Sequence, residues 1–463
     1  MKTPVTDSNE TPPVNRRKFL AGMGATAAGI SALPISASAN VAGSDRLKVG
    51  IVGTGGRGSG AVLQTLSANP GAQLVAAGDV FKSRLQGNGP RKAGGLNLIK
   101  GKIKQRGQES QIDLPKERQF TGFDAYQKVI ENCDLVVLAT TPAFRPLHFE
   151  AAVDAGKHVF MEKPVCIDAH GYNRIIRSAK KADEKDLKVV VGLQRHYQEV
   201  YLQAFDKVHD EGLIGDIISA QCYWNGSRPW TVARDSNWSE LEYQMHNWYH
   251  FNYLCGDHIA EQHVHNLDVV NWFMSANHQT GGHPVKAQGM GGRTGWEDPK
   301  TSQIFDHHYV EFRYGDDKIL NSQSRQIRGT EPRVGEEIHG TKGILTLETG
   351  EIKDYNGKVL WRYRAGREGV TNPFQEEHNR LHAAIKEGTP LNNAYYGADS
   401  SFTAVLGRLA TYTGQQVSWD EAVASDYSLV PDDLNWDKPA PVQPLADGTY
   451  PAPIPGVTKL PWA

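Results

Sequence analysis

A polar segment at residues 256–268, with the sequence GDHIAEQHVHNLD, carries the densest group of side chains able to do acid–base chemistry. If the segment is one helix, residues at positions i, i+3, i+7 and i+10 share a face. This spacing predicts one continuous polar stripe that consists of His258, Glu261, His265 and Asp268. The preceding Asp257 is of a residue type that caps helix starts.

Dehydrogenation of an alcohol suits these side chains, because the hydroxyl proton needs a base while the hydride leaves. Histidine accepts a proton near neutral pH, so we predict that His265 is the base and that Glu261 orients it or binds an adjacent hydroxyl. We expect the other polar groups of the segment to contact the substrate; they are His258, His263 and Asp268.

Two other interpretations of the segment stay open. Histidines are often structural, with their hydrogen bonds satisfied inside the core. A hydrolytic zinc site is the second alternative, because His258, Glu261 and His265 are ligand types at helical spacing and a water would complete the set. We favour redox chemistry without a metal; stoichiometric zinc in the purified protein would reverse this order.

A lysine at the end of a predicted strand is the second reactive candidate. Lys163 follows the apolar run at 158–161. At a strand end that faces a bound cofactor, an ammonium group can hydrogen-bond the reacting hydroxyl and lower its pKa. We therefore predict that Lys163 and His265 address the same substrate carbon.

A glycine-rich turn predicts the cofactor. After a short apolar strand, Gly53, Gly55 and Gly58 fit the pattern G-x-G-x-x-G. In this pattern the chain turns tightly, approaches a pyrophosphate and packs the following helix closely on the strand. We expect Gly56 and Arg57, in the same turn, to contact the dinucleotide as well.

Asp79 ends the second predicted strand, where a carboxylate accepts hydrogen bonds from a ribose 2′-hydroxyl and repels a 2′-phosphate. This position favours NAD, while the nearby Lys82 and Arg84 keep NADP as an alternative. Another strand ends at the same edge of the sheet with three residues expected to contact the cofactor, which are Thr140, Thr141 and Pro142.

The order of apolar and helical segments predicts an α/β fold with two domains. Apolar strands alternate with helical patterns over 46–195, as in a Rossmann dinucleotide-binding domain with a parallel sheet covered on both faces. Hairpin signals predict an α+β domain with a large, open, mainly antiparallel sheet over 196–420. The proline-rich tail at 421–463 is expected to run in extended form over a surface or a neighbouring subunit.

Several segments carry finer predictions. The basic stretch at 82–118 is predicted to be a solvated insertion. The alternative is that it borders the site and attracts an acidic substrate. Hairpins are expected between 307–314 and 318–323, and between 344–354 and 359–363.

The run AGKHVFMEKP at 155–164, with the glycine turn and the TTP segment, resembles the Gfo/Idh/MocA oxidoreductase family over roughly 47–419. The resemblance implies a nicotinamide dinucleotide in the N-terminal domain and a sugar, a cyclitol or a derivative as substrate. It also implies a turn beneath the nicotinamide, often with a cis proline bond, formed by Glu162, Lys163 and Pro164.

The substrate helix departs in part from that family's pattern, which reads Asp-x-Gly-x-His-x-x-Asp. His265 and Asp268 match it, whereas Glu261 and His263 replace the aspartate and the glycine. Glutamate is longer than aspartate, so Glu261 need not have the aspartate's role. The imidazole of His263 indicates a different substrate ring or reaction.

Aromatic and basic residues beyond the helix extend the predicted substrate site. Indole faces stack on the C–H faces of pyranoses, and Trp230 and Trp238 lie in a polar loop where they could do so. Arg195, at the predicted domain junction, either contacts the substrate or locks the two domains together.

Charge and cysteine content exclude several classes of protein. The 463 residues carry 50 lysines and arginines against 52 aspartates and glutamates, which gives no electrostatic basis for nucleic-acid binding. The four cysteines lack paired metal or redox spacing, so buried free thiols are expected rather than two disulfides.

Residues 1–39 read as a removable twin-arginine export signal, with Arg16 and Arg17 before a weak apolar run that ends in A-x-A. No lipid-anchoring cysteine follows, so we expect a periplasmic protein without a membrane anchor. Because the periplasm has no known pool of free NAD(H), the cofactor is expected to be tightly bound and recycled in each cycle.

Three functions fit these features. The first is an NAD(P)-dependent oxidoreductase that transfers hydride to or from a sugar. The second is an NAD-dependent glycosidase or lyase that cleaves glycosides through a transient keto-sugar, although a Tyr-Pro-Thr-His-Gly segment of such relatives is absent. The third is a sugar- or dinucleotide-binding protein without catalysis. In each case the open sheet predicts a homodimer or homotetramer.

Overall fold

The first sheet is parallel, as the alternating apolar strands predict. The computed structural model describes residues 46–275, 282–294, 298–366 and 370–463, so the predicted export signal lies outside the described residues. Its first six strands pair in the order β3-β2-β1-β4-β5-β6. They are β1 (Lys48–Val52), β2 (Gln73–Asp79), β3 (Gln119–Thr121), β4 (Leu135–Leu138), β5 (His158–Met161) and β6 (Val189–Val191).

Helices cover this sheet and make the N-terminal domain a Rossmann fold, as expected. Residues such as Val49, Ile51 and Val137 are fully buried between the layers. The helices are α1 (Gly56–Ala68), α2 (Lys82–Gln86), α3 (Leu96–Gln105), α4 (Ala125–Glu131), α5 (Arg145–Asp154) and α6 (Ala169–Glu184). Single-turn 3₁₀ helices lie at Glu109–Gln111, Lys116–Arg118 and Pro142–Phe144.

The basic segment at 82–118 exposes all six of its lysines, as predicted for a solvated insertion, but it also packs apolar side chains against the first domain. Leu96, Ile99 and Ile103 are buried along one face of α3, at the i, i+3, i+7 spacing of an amphipathic helix. Before α3, the amide of Gly95 donates to the carbonyl of Thr54 over 2.7 Å. The segment therefore packs against the glycine turn.

The second sheet has nine strands in the order β14-β13-β12-β11-β7-β10-β9-β8-β15, and all pairs are antiparallel except β7 with β10. It therefore has the predicted mainly antiparallel character. The strands are β7 (Ile217–Gly226), β8 (Lys286–Gly292), β9 (His307–Arg313), β10 (Ile319–Gln326), β11 (Arg333–Gly340), β12 (Gly343–Thr346), β13 (Glu351–Asp354), β14 (Val359–Arg362) and β15 (Val417–Ser418).

One of the two predicted hairpins forms as expected, and the other is divided. Strands β9 and β10 pair with Arg313 opposite Ile319. The single strand expected over 344–354 is two strands, β12 and β13, which pair with each other before β13 pairs with β14. Gly350, at a φ of +63°, turns the chain between them.

Helices cover one face of the nine-stranded sheet and reach back to the first domain. The longest, α13 (Ala394–Thr413), carries Ser401, which accepts the amide of Val165 over 2.9 Å. The neighbouring Ser400 donates to Asp268 over 2.9 Å. The other helices that follow the first sheet are α7 (Glu199–His209), α8 (Glu240–His246), α9 (Asn252–Cys255), α10 (His258–Glu261), α11 (Val264–Ser275), α12 (Pro373–Glu387) and α14 (Trp419–Ala424), with 3₁₀ turns at Gln194–Tyr197, Trp248–His250 and Gly315–Asp317.

The polar segment at 256–268 is not one helix. Helix α10 ends at Glu261 and α11 begins at Val264, so the predicted continuous stripe is interrupted. In an unbroken helix the carbonyl of Glu261 would accept the amide of His265. Here that amide turns to the carbonyl of Gln262, and the carbonyl of Glu261 accepts the ammonium of Lys163 instead.

The proline-rich tail runs in extended form over its own chain, which is one of the two arrangements expected for it. The carbonyl of Val442 accepts the side-chain amide of Gln244 over 2.6 Å, and the hydroxyl of Tyr450 donates to Glu240. All four cysteines are buried and free, as predicted. No helix in the described ranges is long and apolar enough to cross a membrane.

Arg195 joins the two domains and does not line either cavity described below. It forms an ion pair with Glu336 of β11, a fully buried carboxylate that also accepts the side-chain amide of Asn266 over 2.7 Å. Burial raises the pKa of Glu336, and the charge of Arg195 opposes that rise. Of the two roles considered for Arg195, the contacts favour the domain lock.

We expect Arg195→Met to lower the free energy of unfolding by about 3–5 kcal/mol, because it leaves a buried carboxylate unpaired. The double variant Arg195→Met/Glu336→Gln removes that charge and should recover most of the loss. Urea unfolding measures both effects. A variant with unchanged stability and a raised KM would show a substrate contact instead.

Candidate active site

Two adjoining cavities lie where strands β1, β2 and β4 end, at the carboxyl edge of the parallel sheet. The larger, here called the cofactor cleft, is lined by the glycine turn, Asp79 and Trp230 among others. The smaller, here called the inner cavity, is lined by Lys163 and His265 among others. The residues that line both are Arg57, Ala139, Thr140, Trp248, Glu261 and Gln262.

The glycine turn has the geometry that each glycine predicts. Gly53 has a φ of +91°, and a side chain there would meet the backbone of Ala139 at 2.5 Å. A side chain on Gly58 would meet the carbonyl of Gly53 at 2.0 Å. At Gly55 a Cβ would meet nothing within 4 Å, so this amide-rich turn is open to an anion such as a pyrophosphate.

Asp79 lies at the predicted place, at the end of β2 beside the turn. Its carboxylate accepts the amide of Thr54 over 2.9 Å and the amide of Phe81 over 3.2 Å. Burial raises the pKa of Asp79, while these amides and the charge of Arg84 oppose the rise. The carboxylate therefore orders the turn and retains acceptor capacity toward the cleft.

The other predicted cofactor contacts also lie at this edge. Thr140 and Thr141 line the cofactor cleft, and Pro142 lines the inner cavity. The Lys163–Pro164 bond is cis, as the resemblance implies, although Pro164 is not among the lining residues.

Lys163 is held by Glu261. Its ammonium donates to the carbonyl of Glu261 and lies 3.2 Å from the Oε1 atom of the same residue. Burial raises the pKa of the Glu261 carboxyl, and the positive charge of Lys163 opposes that rise. The structure thus pairs Glu261 with Lys163, whereas the sequence predicted a pair with His265.

His265 reaches the inner cavity from the first turn of α11. Its ring stacks near Trp224 with centroids 6.0 Å apart, and Nδ1 has no hydrogen-bond partner. Burial lowers the pKa of His265 well below its usual value, and the charges of Lys163 and Arg195 lower it further. The imidazole is therefore neutral and able to accept a proton.

A charge network that the sequence did not predict connects residues that line the two cavities with a buried glutamate. Arg57 lies 2.5 Å from Glu162 and 2.9 Å from Glu377, which belongs to α12 and is fully buried. Glu162 in turn packs against Gly192, where a side chain would meet Oε1 at 2.8 Å. Glu377 carries no local motif; only the folding of α12 onto α1 brings it here.

Four predicted substrate contacts are placed elsewhere. His258 and His263 are fully buried, and His263 is hydrogen-bonded to Ser322 over 2.7 Å. Asp268 lies 2.9 Å from His196 and accepts from α13. The ring of Trp238 stacks on that of His246 of α8. None of the four residues lines a cavity.

The cofactor cleft also has lining residues that were not predicted to contact the dinucleotide. Trp230, predicted to stack on the substrate, lines this cleft and not the inner cavity, and the guanidinium of Arg91 lies 3.5 Å from the centre of its ring. This contact bridges the basic segment and the second domain across the cleft. The further lining side chains include Phe81, Arg84, Phe123, Tyr126, His246 and Trp248.

His258, Glu261 and His265 do not form a metal-ligand group among the described residues, because His258 lines neither cavity and lies with Asp257 and His308 instead. The alternative of a hydrolytic zinc site on these three ligands is therefore wrong.

Comparison with known proteins supports the family resemblance. Residues 47–192 match the family model GFO_IDH_MocA, described as an oxidoreductase family with an NAD-binding Rossmann fold. Inositol 2-dehydrogenase of Klebsiella pneumoniae (strain 342) is 27% identical over 237 residues, which are 50% of this chain and 56% of that protein. The chain spans about half the length of the curated relatives it matches.

Solved structures share the fold. Scyllo-inositol dehydrogenase from Lactobacillus casei with bound NAD(H) and scyllo-inositol matches with a TM-score of 0.57 at 19% identity, over 81% of this chain and 99% of that one. Aldose-aldose oxidoreductase from Caulobacter crescentus matches with a TM-score of 0.59 at 17% identity, over 81% and 99%. At these identities the likeness shows the fold alone.

Replacing either His265 or Lys163 is expected to abolish turnover without unfolding the protein. His265→Gln and Lys163→Met should each lower kcat by about 100- to 10,000-fold, the usual contribution of a positioned acid or base. His170→Gln and Lys100→Met, which change residues outside both cavities, serve as controls. Dinucleotide affinity should be retained in all four variants, and an unchanged kcat in either site variant would contradict the assignment.

The pH profile should report the depressed pKa of His265. The neutral base is present above the pKa of the folded protein and is lost as the pH falls through it. We therefore expect kcat/KM to stay level from pH 8 down to about 6.5, the ordinary pKa of histidine, and to fall only below it. A fall centred above that pH would contradict the account.

Proposed function

We propose that this protein oxidises a hydroxyl of a sugar or cyclitol by hydride transfer to NAD. One observation carries the proposal: Lys163, Glu261 and His265 converge on an inner cavity that adjoins the glycine-turn cleft. The open turn at Gly55 and the carboxylate of Asp79 fit the dinucleotide. The inositol dehydrogenases that this chain resembles in sequence support the substrate class.

Each polar group of the inner cavity has a distinct task in this reaction. Neutral His265 accepts the hydroxyl proton, and the Lys163 ammonium hydrogen-bonds the same oxygen and stabilises its developing negative charge. Glu261 restrains Lys163 through two oxygens, so the ammonium is oriented before substrate binds. When bound, the nicotinamide supplies the hydride acceptor.

We also propose that the cofactor is retained and recycled. The basic segment packs on the glycine turn, and Arg91 spans the cleft to Trp230. Burial lowers the pKa of Arg91 to about 10, which still leaves it charged at neutral pH. On the other side, Trp436 of the tail packs on Phe81 and Phe123, which line the cleft. These walls oppose dinucleotide release.

Export and assembly complete the proposal. A twin-arginine signal at 1–39 would deliver the folded protein, with its cofactor, to the periplasm. Within the described residues, no helix covers the second face of the nine-stranded sheet, and this face exposes Met290 and Tyr309 as cross-strand neighbours. We propose that this face is buried in a homodimer or homotetramer.

The function is tested with the purified protein and no added dinucleotide. Mixing it with cyclitols, aldoses and aryl glycosides should raise the 340 nm absorbance of the bound cofactor, in an amount equal to the oxidised sugar formed. His265→Gln should give no rise. Release of aglycone would favour the keto-sugar glycosidase, and a loaded protein that responds to none of these compounds would overturn the proposal.

Opening the contact across the cleft should speed cofactor release. A desolvated cation–π pair contributes about 0.5–2 kcal/mol. Arg91→Ala or Trp230→Ala should therefore raise the NAD dissociation rate by about 2- to 30-fold in stopped-flow displacement. Arg118→Ala changes an arginine of the same segment that pairs with Asp113 outside the cleft and is the control. Equal rates in all three variants would show that the bridge does not retain the cofactor.

A further inference from the structure

A cluster of three fully buried side chains lies apart from the two cavities. Asp257, at the start of α10, is joined there by His258 and by His308 of β9, and all three side chains are 0% exposed. The Oδ1 atom of Asp257 lies 3.4 Å from Nε2 of His308 and 4.0 Å from Nε2 of His258. One ligand-type atom from each residue lies within 4.8 Å of the other two.

The carboxylate is held in place by its neighbours. Asp257 has a φ of +72°, an unfavourable conformation for a residue with a side chain. Its Oδ2 accepts the amide of Phe305 over 3.0 Å and the hydroxyl of Tyr412. Oδ1 accepts only the adjacent amide of His258 and otherwise faces the two imidazoles.

The hydrogen bonds of Thr411 determine the tautomer of a neutral His308. The Thr411 hydroxyl donates its single proton to the carbonyl of Arg408 over 3.0 Å, so it must accept from Nδ1 of His308 at 2.9 Å. Nε2 of His308 then carries a lone pair that points at a carboxylate oxygen. Two acceptors at 3.4 Å repel each other unless a cation lies between them.

The surroundings of His258 independently favour a bound cation. Neither of its ring nitrogens has a hydrogen-bond partner among the described residues, although the ring is fully buried. Leaving a buried polar atom without a partner is unfavourable. A cation bound at Nε2 would satisfy this nitrogen together with Nε2 of His308 and Oδ1 of Asp257.

We propose that a divalent metal ion, zinc by its ligand chemistry, binds between Asp257 Oδ1, His258 Nε2 and His308 Nε2. Two imidazoles and one carboxylate are a common zinc set, with a fourth position for water or another ligand. Around a tetrahedral zinc ion two ligand atoms lie about 3.4 Å apart. Asp257 Oδ1 and His308 Nε2 already have that spacing, and the wider pairs must close by at most about 1.4 Å. Thr411 orients His308 as metal-binding histidines are usually oriented.

The ion would be structural, because none of its three ligands lines either cavity. It would connect the start of α10 to strand β9 and, through the Tyr412 hydroxyl bound to Asp257, to α13. Helix α10 carries Glu261 at its other end. The site therefore differs in two of three ligands from the zinc alternative considered for the sequence, and it does not depend on the proposed redox function.

Metal content of the full chain, purified without chelator from zinc-supplemented medium, tests the site directly. Mass spectrometry should find about one zinc per chain in the wild type, and His258→Gln and His308→Gln should lose it. His382→Gln is the matched control, because His382 is also buried with both ring nitrogens unpartnered but lies on α12. It should retain the metal.

Cobalt substitution of the wild type keeps the test decisive if the variants do not fold. Bound Co²⁺ should give visible absorption bands of a four- or five-coordinate site with nitrogen and oxygen ligands, and zinc should displace it. Removal of zinc with dipicolinate should lower the Tm, and added zinc should restore it. The proposal would be overturned if metal-free wild-type protein bound neither ion, or if the variants kept full zinc. Either result would indicate an imidazolium–carboxylate pair in place of a metal site.

Discussion

The site depends on one interaction, in which the Lys163 ammonium is held by the carbonyl and the carboxylate of Glu261. A backbone carbonyl is free for this role only because the helix stops at Glu261 and restarts at Val264. The break costs a helical hydrogen bond, which the charged donor replaces. The same break allows His265 to begin a new helix and face the cavity that Lys163 enters from the other domain.

Two further contacts between the domains keep that geometry. Arg57, in the glycine turn, reaches Glu162 beside Lys163 and Glu377 of α12, so the cofactor turn and the catalytic turn share a charge network. Arg195 pairs with Glu336 of the second sheet. Both networks are buried or half-buried, where unpaired charges are costly, so the relative position of the two halves of the site is strongly specified. The proposed metal would add a third constraint at the start of α10.

Local motifs predicted the parts of the site that depend on backbone geometry. The glycine turn, Asp79, the Thr140–Pro142 strand end and the Glu162–Pro164 turn all lie where their residue types require, because each is set by a strand and the few residues after it. His265 was also predicted, from its residue type, although the single helix assumed to carry it does not form.

The errors arose where distant parts of the chain decide local structure. The stripe from His258 to Asp268 assumed one helix, and nothing nearby in sequence announces that Lys163 will take the Glu261 carbonyl. The segment at 82–118 looked solvated because its many charges hid the spacing of Leu96, Ile99 and Ile103. Arg91 and Trp248 reach the cavities, and Glu377 reaches Arg57, only through tertiary packing, so no motif could identify them.

The most direct test of the account is a crystal structure of the protein with NAD and a reactive sugar or cyclitol. The account predicts that the nicotinamide ring lies beside the inner cavity, with the Lys163 ammonium and the His265 imidazole both in contact with one substrate hydroxyl. A structure in which these two side chains contact opposite ends of the substrate, or in which the nicotinamide ring lies away from both, would contradict it.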